Sequence, residues 1–370
     1  MNRRRFVKFA AAVPLAAAMA PLAGFTRSAW AQTRTYTPRP GQWRTYEVTT
    51  RVEILKPAGA TRIWLPLPSV NAAYQKSLDD KWNAPGAQTR VVEDGRYGAK
   101  MLVVEFPAGA ATPTAVLVSR VSIQDRAVDW SKKGTAAKED PTALKLWLQP
   151  TELMPTDGIV RKTAEEAVRG KRSDRDKAQA LYDWVVTNTW REPKTRGCGV
   201  GDIKAMLETG DLGGKCADLN ALFVGMARSV GIPARDVYGV RLAPSAFGYK
   251  ALSGNSANIT RAQHCRAEVH LADYGWVAMD PADVAKVMRE ETSEWIKTPS
   301  HPVVSPVNQA LFGSWEGNWL AFNLAHDIAL PGAKGPKVGF LMYPTAETEK
   351  ERLDSLDPDN FKYTMSAREV

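Results

Sequence analysis

Cysteine is scarce in this chain: Cys198, Cys216 and Cys265 are the three thiols among 370 residues. No two of them form a Cys-x-x-Cys pair, and no His-x-x-x-His spacing occurs, so the usual ligand sets of a zinc site are absent and no metal or other cofactor is expected. The alternating acids of a calcium loop are missing too. An odd number of cysteines leaves at least one thiol free, with room for one disulfide between the other two. Beyond the N-terminal region no stretch is apolar enough to cross a bilayer, so no stable membrane insertion is expected. Basic excess is also small. The formal charge is +9, but residues 1–31 hold five basic residues and no acid; without them 44 basic residues face 40 acidic ones. Nucleic-acid binding, which needs a concentrated basic face, is therefore not expected.

What the N-terminus does contain is a targeting pattern. Asn2-Arg3-Arg4-Arg5-Phe6-Val7-Lys8 has the form of a twin-arginine export motif. A mildly apolar, Ala-rich run from Phe9 to Gly24 follows, broken by Pro14 and Pro21. Ala29-Trp30-Ala31 fits a small-x-small cleavage site before Gln32. Residues 1–31 thus read as a signal peptide, and the mature protein as periplasmic or secreted.

From Gln42 to Trp130 the pattern is extended. Tyr46, Val48, Val52 and Ile54 recur at even spacing, and Arg62–Leu65, Met101–Phe106 and Ala115–Ile123 form further apolar runs separated by Gly, Pro and Asn. Residues 32–130 read as a β-sandwich-like domain with no reactive constellation, so a structural or protein-docking role is its default. A Lys-, Gly- and Ala-rich linker covers 131–141. The period then becomes helical: one helix runs from Ile159 to a stop at Gly170. A second opens at Ser173, with Asp176 as its capping partner, and buries Ala178, Leu181, Tyr182 and Val185. Gly213-Gly214-Lys215-Cys216 opens a third, amphipathic helix through Leu219, Leu222, Phe223, Met226 and Val230, ended by Gly231 and Pro233. Strands are predicted at Arg235–Leu242, His264–Leu271 and Trp276–Asp280. The domain at 141–300 is thus α+β. A C-terminal β extension at 301–370, with runs at Trp315–Phe322, Val338–Met342 and Phe361–Met365, is expected to pack on it.

A thiol attacks a carbonyl well only as its thiolate, and the free side chain has a pKa of about 8.5. A helix N-terminus favours the negative charge, and a neighbouring histidine can take the proton. Cys216 stands at a helix start by sequence, after two glycines that would let a substrate backbone come close.

Gly214-Lys215-Cys216-Ala217-Asp218-Leu219-Asn220-Ala221-Leu222, running on through Met226 to Arg235, resembles the nucleophile helix of the transglutaminase-like superfamily. His264-Cys265-Arg266-Ala267-Glu268-Val269 and Tyr274-Gly275-Trp276-Val277-Ala278-Met279-Asp280-Pro281 resemble that family's histidine and aspartate strands. The resemblance covers about residues 157–283. It implies a papain-like thiol-enzyme core, a nucleophile helix packed on an antiparallel sheet. It also implies Cys216 as nucleophile, His264 as general base and Asp280 as orienting carboxylate. His270 lies on the same strand face as His264, and alternation alone does not separate them; the resemblance selects His264. Asp280, before Pro281, also fits a plain turn residue, and Glu268 a structural strand residue. An aromatic or amide side chain upstream of the nucleophile often supplies the second oxyanion donor in the family. Trp190 is the candidate here, against a plain packing role. Arg266 stands where the family usually has an aromatic residue; as a substrate-binding candidate it would meet a carboxylate, and otherwise it is a solvent-facing charge. Cys265 should point away from the cleft, where it and Cys198 either pair as a disulfide or stay as separate core thiols.

These residues imply a thiol enzyme that attacks amide or peptide bonds through a thioester, with hydrolysis favoured and a peptide or protein amide as substrate. Two alternatives stand beside it: a cross-linking transglutaminase with the same triad, and a non-catalytic protein that binds a partner through its N-terminal β domain.

Overall fold

The computed structural model describes residues 34–357 and 361–370; the export signal expected at 1–31 lies outside them. The first described elements are seven strands: β1 (Arg44–Ile54), β2 (Thr61–Pro66), β3 (Gln75–Asn83), β4 (Gln88–Glu93), β5 (Lys100–Phe106), β6 (Thr114–Ile123) and the short β7 (Arg126–Ala127). Period-two alternation decides which faces meet. In β1, Tyr46, Val48, Val52 and Ile54 are buried, and in β6 Ala115, Leu117, Val121 and Ile123 are. The two strands pair antiparallel, Val48 opposite Ser119 and Val52 opposite Ala115. Ile63 and Leu65 of β2 and Leu102, Val104 and Phe106 of β5 join the same core. The other faces of β2 and β5 carry Trp64, Met101 and Val103, which are covered by Ala325, Ile328, Leu330 and Leu341. With both faces covered, the middle of β5 reads as an unbroken apolar run, Met101–Val104, rather than an alternation.

After this sandwich come α1 (Pro141–Leu146), α2 (Gly158–Ala167), α3 (Asp174–Asn188), β8 (Trp190–Arg191), α4 (Ile203–Thr209), β9 (Gly213–Gly214) and α5 (Cys216–Ser229). Next are β10 (Ala234–Arg241), β11 (Gln263–Leu271), β12 (Gly275–Met279) and α6 (Pro281–Glu290). The Ser173 hydroxyl caps α3 by accepting the Asp176 N–H at 3.1 Å, as its sequence predicts. The predicted amphipathic helix at Cys216 differs in one respect: every residue of α5 is buried. It packs on β10 and β11 and is surrounded by α2, α3, α4 and α6, and a helix enclosed on all sides has no polar face to show. Even Arg228 is spent inside, its guanidinium donating to the carbonyls of Ala234 at 2.8 Å and Gln149 at 3.0 Å.

The remaining elements are α7 (Ser305–Ala310), β13 (Ser314–Trp315), β14 (Trp319–Asn323), β15 (Thr345–Glu347) and β16 (Phe361–Glu369). They do not form one extension of the helical half. β14 completes its antiparallel sheet, in the order β12-β11-β10-β14, and β13 pairs with β7. β15 and β16 instead return to the sandwich, whose sheets run β16-β1-β6-β3 and β15-β2-β5-β4. β16 lies along β1 from Tyr46 opposite Glu369 to Ile54 opposite Phe361. The cause is again alternation: Phe361, Tyr363, Met365 and Ala367 all turn inward, matching the inward set of β1. The run Val338–Met342 forms no strand and contributes one bridge, Val338 to Ile328.

Glu268 of β11 joins the two halves. Its buried carboxylate pairs with Arg126 of β7 and Arg235 of β10, and Arg126 also lies over the rings of Tyr74 and Trp315. Both guanidiniums pull this carboxyl below its usual range, against the upward push of burial. Removing one member of a buried ion cluster strands the others. Glu268→Ala should therefore destabilise the protein by about 3–5 kcal/mol in urea unfolding, while Glu93→Ala on exposed β4 should shift the midpoint far less. Similar midpoints for the two variants would remove Glu268 as the tie.

Candidate active site

The start of α5 is built by Asp218, one turn into the helix. Its carboxylate accepts the N–H groups of Lys215, Val200 and Gly201, each at 2.9 Å. The loop before α4 is thereby tied to the helix N-terminus. Glycine is required around this carboxylate. A Cβ on Gly199, at φ +92°, or on Gly214 would fall 1.8 and 2.6 Å from atoms of Asp218. A Cβ on Gly213 would fall 2.6 Å from the indole nitrogen of Trp190. The Gly-Gly pair ahead of Cys216 thus makes room for these side chains, rather than for the substrate backbone as the sequence suggested. β8 and β9 form a short parallel pair, Trp190 beside Gly213. Ala217, the second helical residue, donates its N–H to Cys198 O at 2.9 Å. Cys216 is the first residue of the helix, so its N–H lies outside the helix's own ladder.

His264 comes from β11, beside α5. Its Nε2 faces Asp280 Oδ2 at 2.8 Å and Asp283 Oδ2 at 3.4 Å. The Cys216 thiol lines the same cleft as this ring, together with Cys198. Asp280 has two duties. It caps α6, its Oδ1 accepting the Asp283 N–H at 3.1 Å, and it orients the imidazole through Oδ2. Asn220, four residues after Cys216 on α5, donates to Asp280 Oδ1 at 3.3 Å and to Cys265 O at 2.8 Å. Asp283 is ion-paired with Arg241.

Burial alone would push the Cys216 thiol up. The hydrogen bonds from Cys198, Cys265 and His264, with the imidazole's charge, outweigh it and hold the thiol well below its ordinary value. For His264 burial works the other way, against the imidazolium, but Asp283 and Asp280 override it and lift the pKa to about 9. The two directions, down for the thiol and up for the ring, both favour the charged forms. Burial also pushes both carboxyls up. Arg241 and His264 overcome it at Asp283, which stays well below the usual carboxylate range, whereas Asp280, facing that charge, is raised. His264, Asp280 and Asp283 lie close enough to share a cation, but Arg241 and Arg266 already balance the two carboxylates.

The other predicted residues are placed as follows. His270 packs edge-on against Trp276 at the far end of β11; His264 is the histidine at Cys216. Arg266 is neither a cleft residue nor a solvent-facing charge, and both expectations are corrected. It is 1% exposed, lies over Trp319, donates to Glu316 O at 3.1 Å and brings Nε to 3.5 Å from Asp280. Both faces of β11 are interior, so a two-residue period could not distinguish a cleft face from a covered one. Trp190 lies over Gly213, while its neighbour Arg191 reaches the cleft. Cys265 stays out of the cleft lining but touches Cys216, because α5 runs along β11. All three thiols are free and buried, and Cys198 Sγ donates to Gln263 O at 3.3 Å. Burial and the nearby Cys216 raise Cys198 and Cys265 well above the usual thiol value.

Asn220, Arg241 and Asp283 escaped the sequence reading, and Cys198, expected as a disulfide or core thiol, lines the cleft. Asn220 and Asp283 carried a usable signal, standing at i+4 from Cys216 and i+3 from Asp280. The Asp-Pro start of α6 was another. Cys216 opens into a cleft of about 1020 Å³, walled by α6, the loop before β11 and Tyr343, Ser355, Leu356 and Lys362–Thr364 of the tail.

Residues 161–281 match the family model described as the transglutaminase-like superfamily. An uncharacterised protein of Haemophilus influenzae is 33% identical over 345 residues, covering 88% of this chain and 91% of that one. A candidate cysteine protease from Cytophaga hutchinsonii shares the fold at 13% identity and a TM-score of 0.50, covering 89% of this chain and 99% of the other. The periplasmic domain of TgpA from Pseudomonas aeruginosa is 15% identical with a TM-score of 0.34, covering 75% of this chain and 98% of that domain. Residues 161–281, which hold the helix starting at Cys216, the strand of His264 and Asp280, thus form a transglutaminase-like core.

Proposed function

We propose that this protein is an exported thiol hydrolase that cleaves amide or peptide bonds. One observation carries the reading: a thiol at the first turn of α5 lines the same large cleft as an imidazole whose Nε2 is held 2.8 Å from a buried carboxylate. The Cys216 thiolate would add to the amide carbonyl. The oxyanion would take the Cys216 N–H as a donor, with the Trp190 indole N–H beside Gly213 as the candidate for the second. Collapse breaks the C–N bond, and His264 gives its proton to the departing amine, leaving a thioester on Cys216. Water, deprotonated by His264, then attacks the thioester; the acid leaves and the sulfur regains its proton with the imidazole. Asp280 fixes the ring throughout.

Hydrolysis is favoured over amine transfer by the charge of the cleft. Six basic residues and no acid line it among the described residues, a poor approach for a lysine ammonium. Export rests on the twin-arginine-like start and on Ala29-Trp30-Ala31. Sequencing the mature N-terminus from the periplasmic fraction should give Gln32 first; a cytoplasmic protein retaining Met1 would rule export out.

Cys216→Ala should abolish release of amine from a panel of peptide amides. His264→Ala should remove nearly all turnover, and Asp280→Asn should lower kcat by up to about 10⁴-fold in a folded protein. His270→Ala should stay within a few-fold of wild type. Equal losses from the two histidine variants would undo the assignment. Trp190→Phe should lower kcat by about 10²-fold with KM little changed; an unchanged kcat would leave the indole a packing residue.

The pKa directions set the pH profile. Because the Cys216 value is depressed, alkylation by iodoacetamide should stay fast well below pH 8.5, where an ordinary thiol slows. Because the His264 value is raised to about 9, its proton is present below that pH and lost above it. Turnover should therefore fall as pH rises through about 9, while alkylation does not. A rate that keeps rising through that range would contradict the ion pair.

A further inference from the structure

The charge lining the cleft is one-sided. Arg191, Lys215, Arg241, Arg261, Lys286 and Lys362 face it, and no Asp or Glu does among the described residues. Three of these cations are committed elsewhere: Arg191 to Glu290, Arg241 to Asp283 and Lys362 to Glu53. Lys215, Arg261 and Lys286 have no acidic partner within ion-pair distance among the described residues. They reach the cleft from three parts of the chain: Lys215 beside Cys216, Lys286 on α6, and Arg261 in the loop that enters β11. Ser253, Asn255, Asn258 and Thr260 complete that side with neutral polar groups.

Placing unpaired cations together in a partly enclosed cleft is costly unless an anion arrives to compensate them. Lys286 registers the cost: burial first, then Arg241, push its amine down to about 8. Lys215 is pushed down in the same way, by burial and by Arg191.

We propose that the cleft selects acyl donors bearing a carboxylate beside the scissile amide, with Lys215, Lys286 and Arg261 as the groups that receive it. The ligand class is an acidic peptide. Its carboxylate comes either from an Asp or Glu side chain or from a chain end close to the cleaved bond. The inference rests on Cys216 being the nucleophile of the reading above.

Two small alkylators test the field without any substrate. Iodoacetate carries the carboxylate, iodoacetamide is its neutral isostere, and mass spectrometry of the Cys216 peptide reads the rate of each in the folded mature protein. Relative to free cysteine, the iodoacetate-to-iodoacetamide ratio at Cys216 should be raised by about tenfold at low salt. It should fall towards the free-cysteine ratio in molar salt. Lys286→Gln and Lys215→Gln should each lower it several-fold, Lys286→Arg should keep it, and Lys204→Gln on exposed α4 should leave it alone. A wild-type ratio equal to that of free cysteine would overturn the inference while the nucleophile stands. Failure of both reagents to modify Cys216 would take down the nucleophile and the inference together. In a second arm, peptide amides are compared with an acidic side chain, with a free terminal carboxylate, and with both neutralised. A higher kcat/KM for either acidic form identifies the source of the carboxylate, and equal values for all three would overturn the proposal.

Discussion

The site depends on two carboxylates buried side by side. Asp280 and Asp283 stand three residues apart at the start of α6, both 0% exposed, and such a pair is tolerable only among cations. Arg241 takes one, Arg266 approaches the other, and His264 shares its Nε2 between them. The surrounding architecture serves this arrangement. β10 delivers Arg241, β11 delivers His264 and Arg266 on one face, and α6 delivers both acids with Asp280 as its own cap. α5 then brings Cys216, its first residue, to the cleft that the ring also lines. The two anions favour the charged ring, and a charged ring is a better neighbour for a thiolate than a neutral one.

The sequence was most legible where one face of an element is exposed. β1, β6, α2 and α3 alternate or repeat as their burial does, and Ser173 and Gly170 mark ends where the structure has them. It was least legible where an element is covered on all sides. β11 is buried at every position, so Arg266 read as a surface or cleft charge although it supports Asp280 from behind. Cys265 stays out of the cleft lining and meets α5 instead, its carbonyl accepting from Asn220. Pairing partners distant in the chain were illegible as well: alternation in 361–369 announces a strand, not that β1 is its neighbour.

The tail gives the sandwich a part in the site. One edge of β16 pairs with β1. Its other side exchanges hydrogen bonds with the loop before β11: Met365 with Thr260 and Ile259, and Ala367 with Ser256. Lys362, Tyr363 and Thr364 consequently face the same cleft as Cys216. The β domain, without a reactive residue of its own, thereby supplies a wall to the site.

The pairing of β1 with β16 also fixes an order of events. Tyr46 and Glu369 are neighbours in one ladder yet stand more than 300 residues apart, so this contact has very high sequence separation. During synthesis β1 emerges early and waits with an unpaired edge until nearly all the chain has followed. The strand that finally covers that edge is the same one that walls the cleft. Closing the first-made half and finishing the reactive half are therefore a single late step of folding.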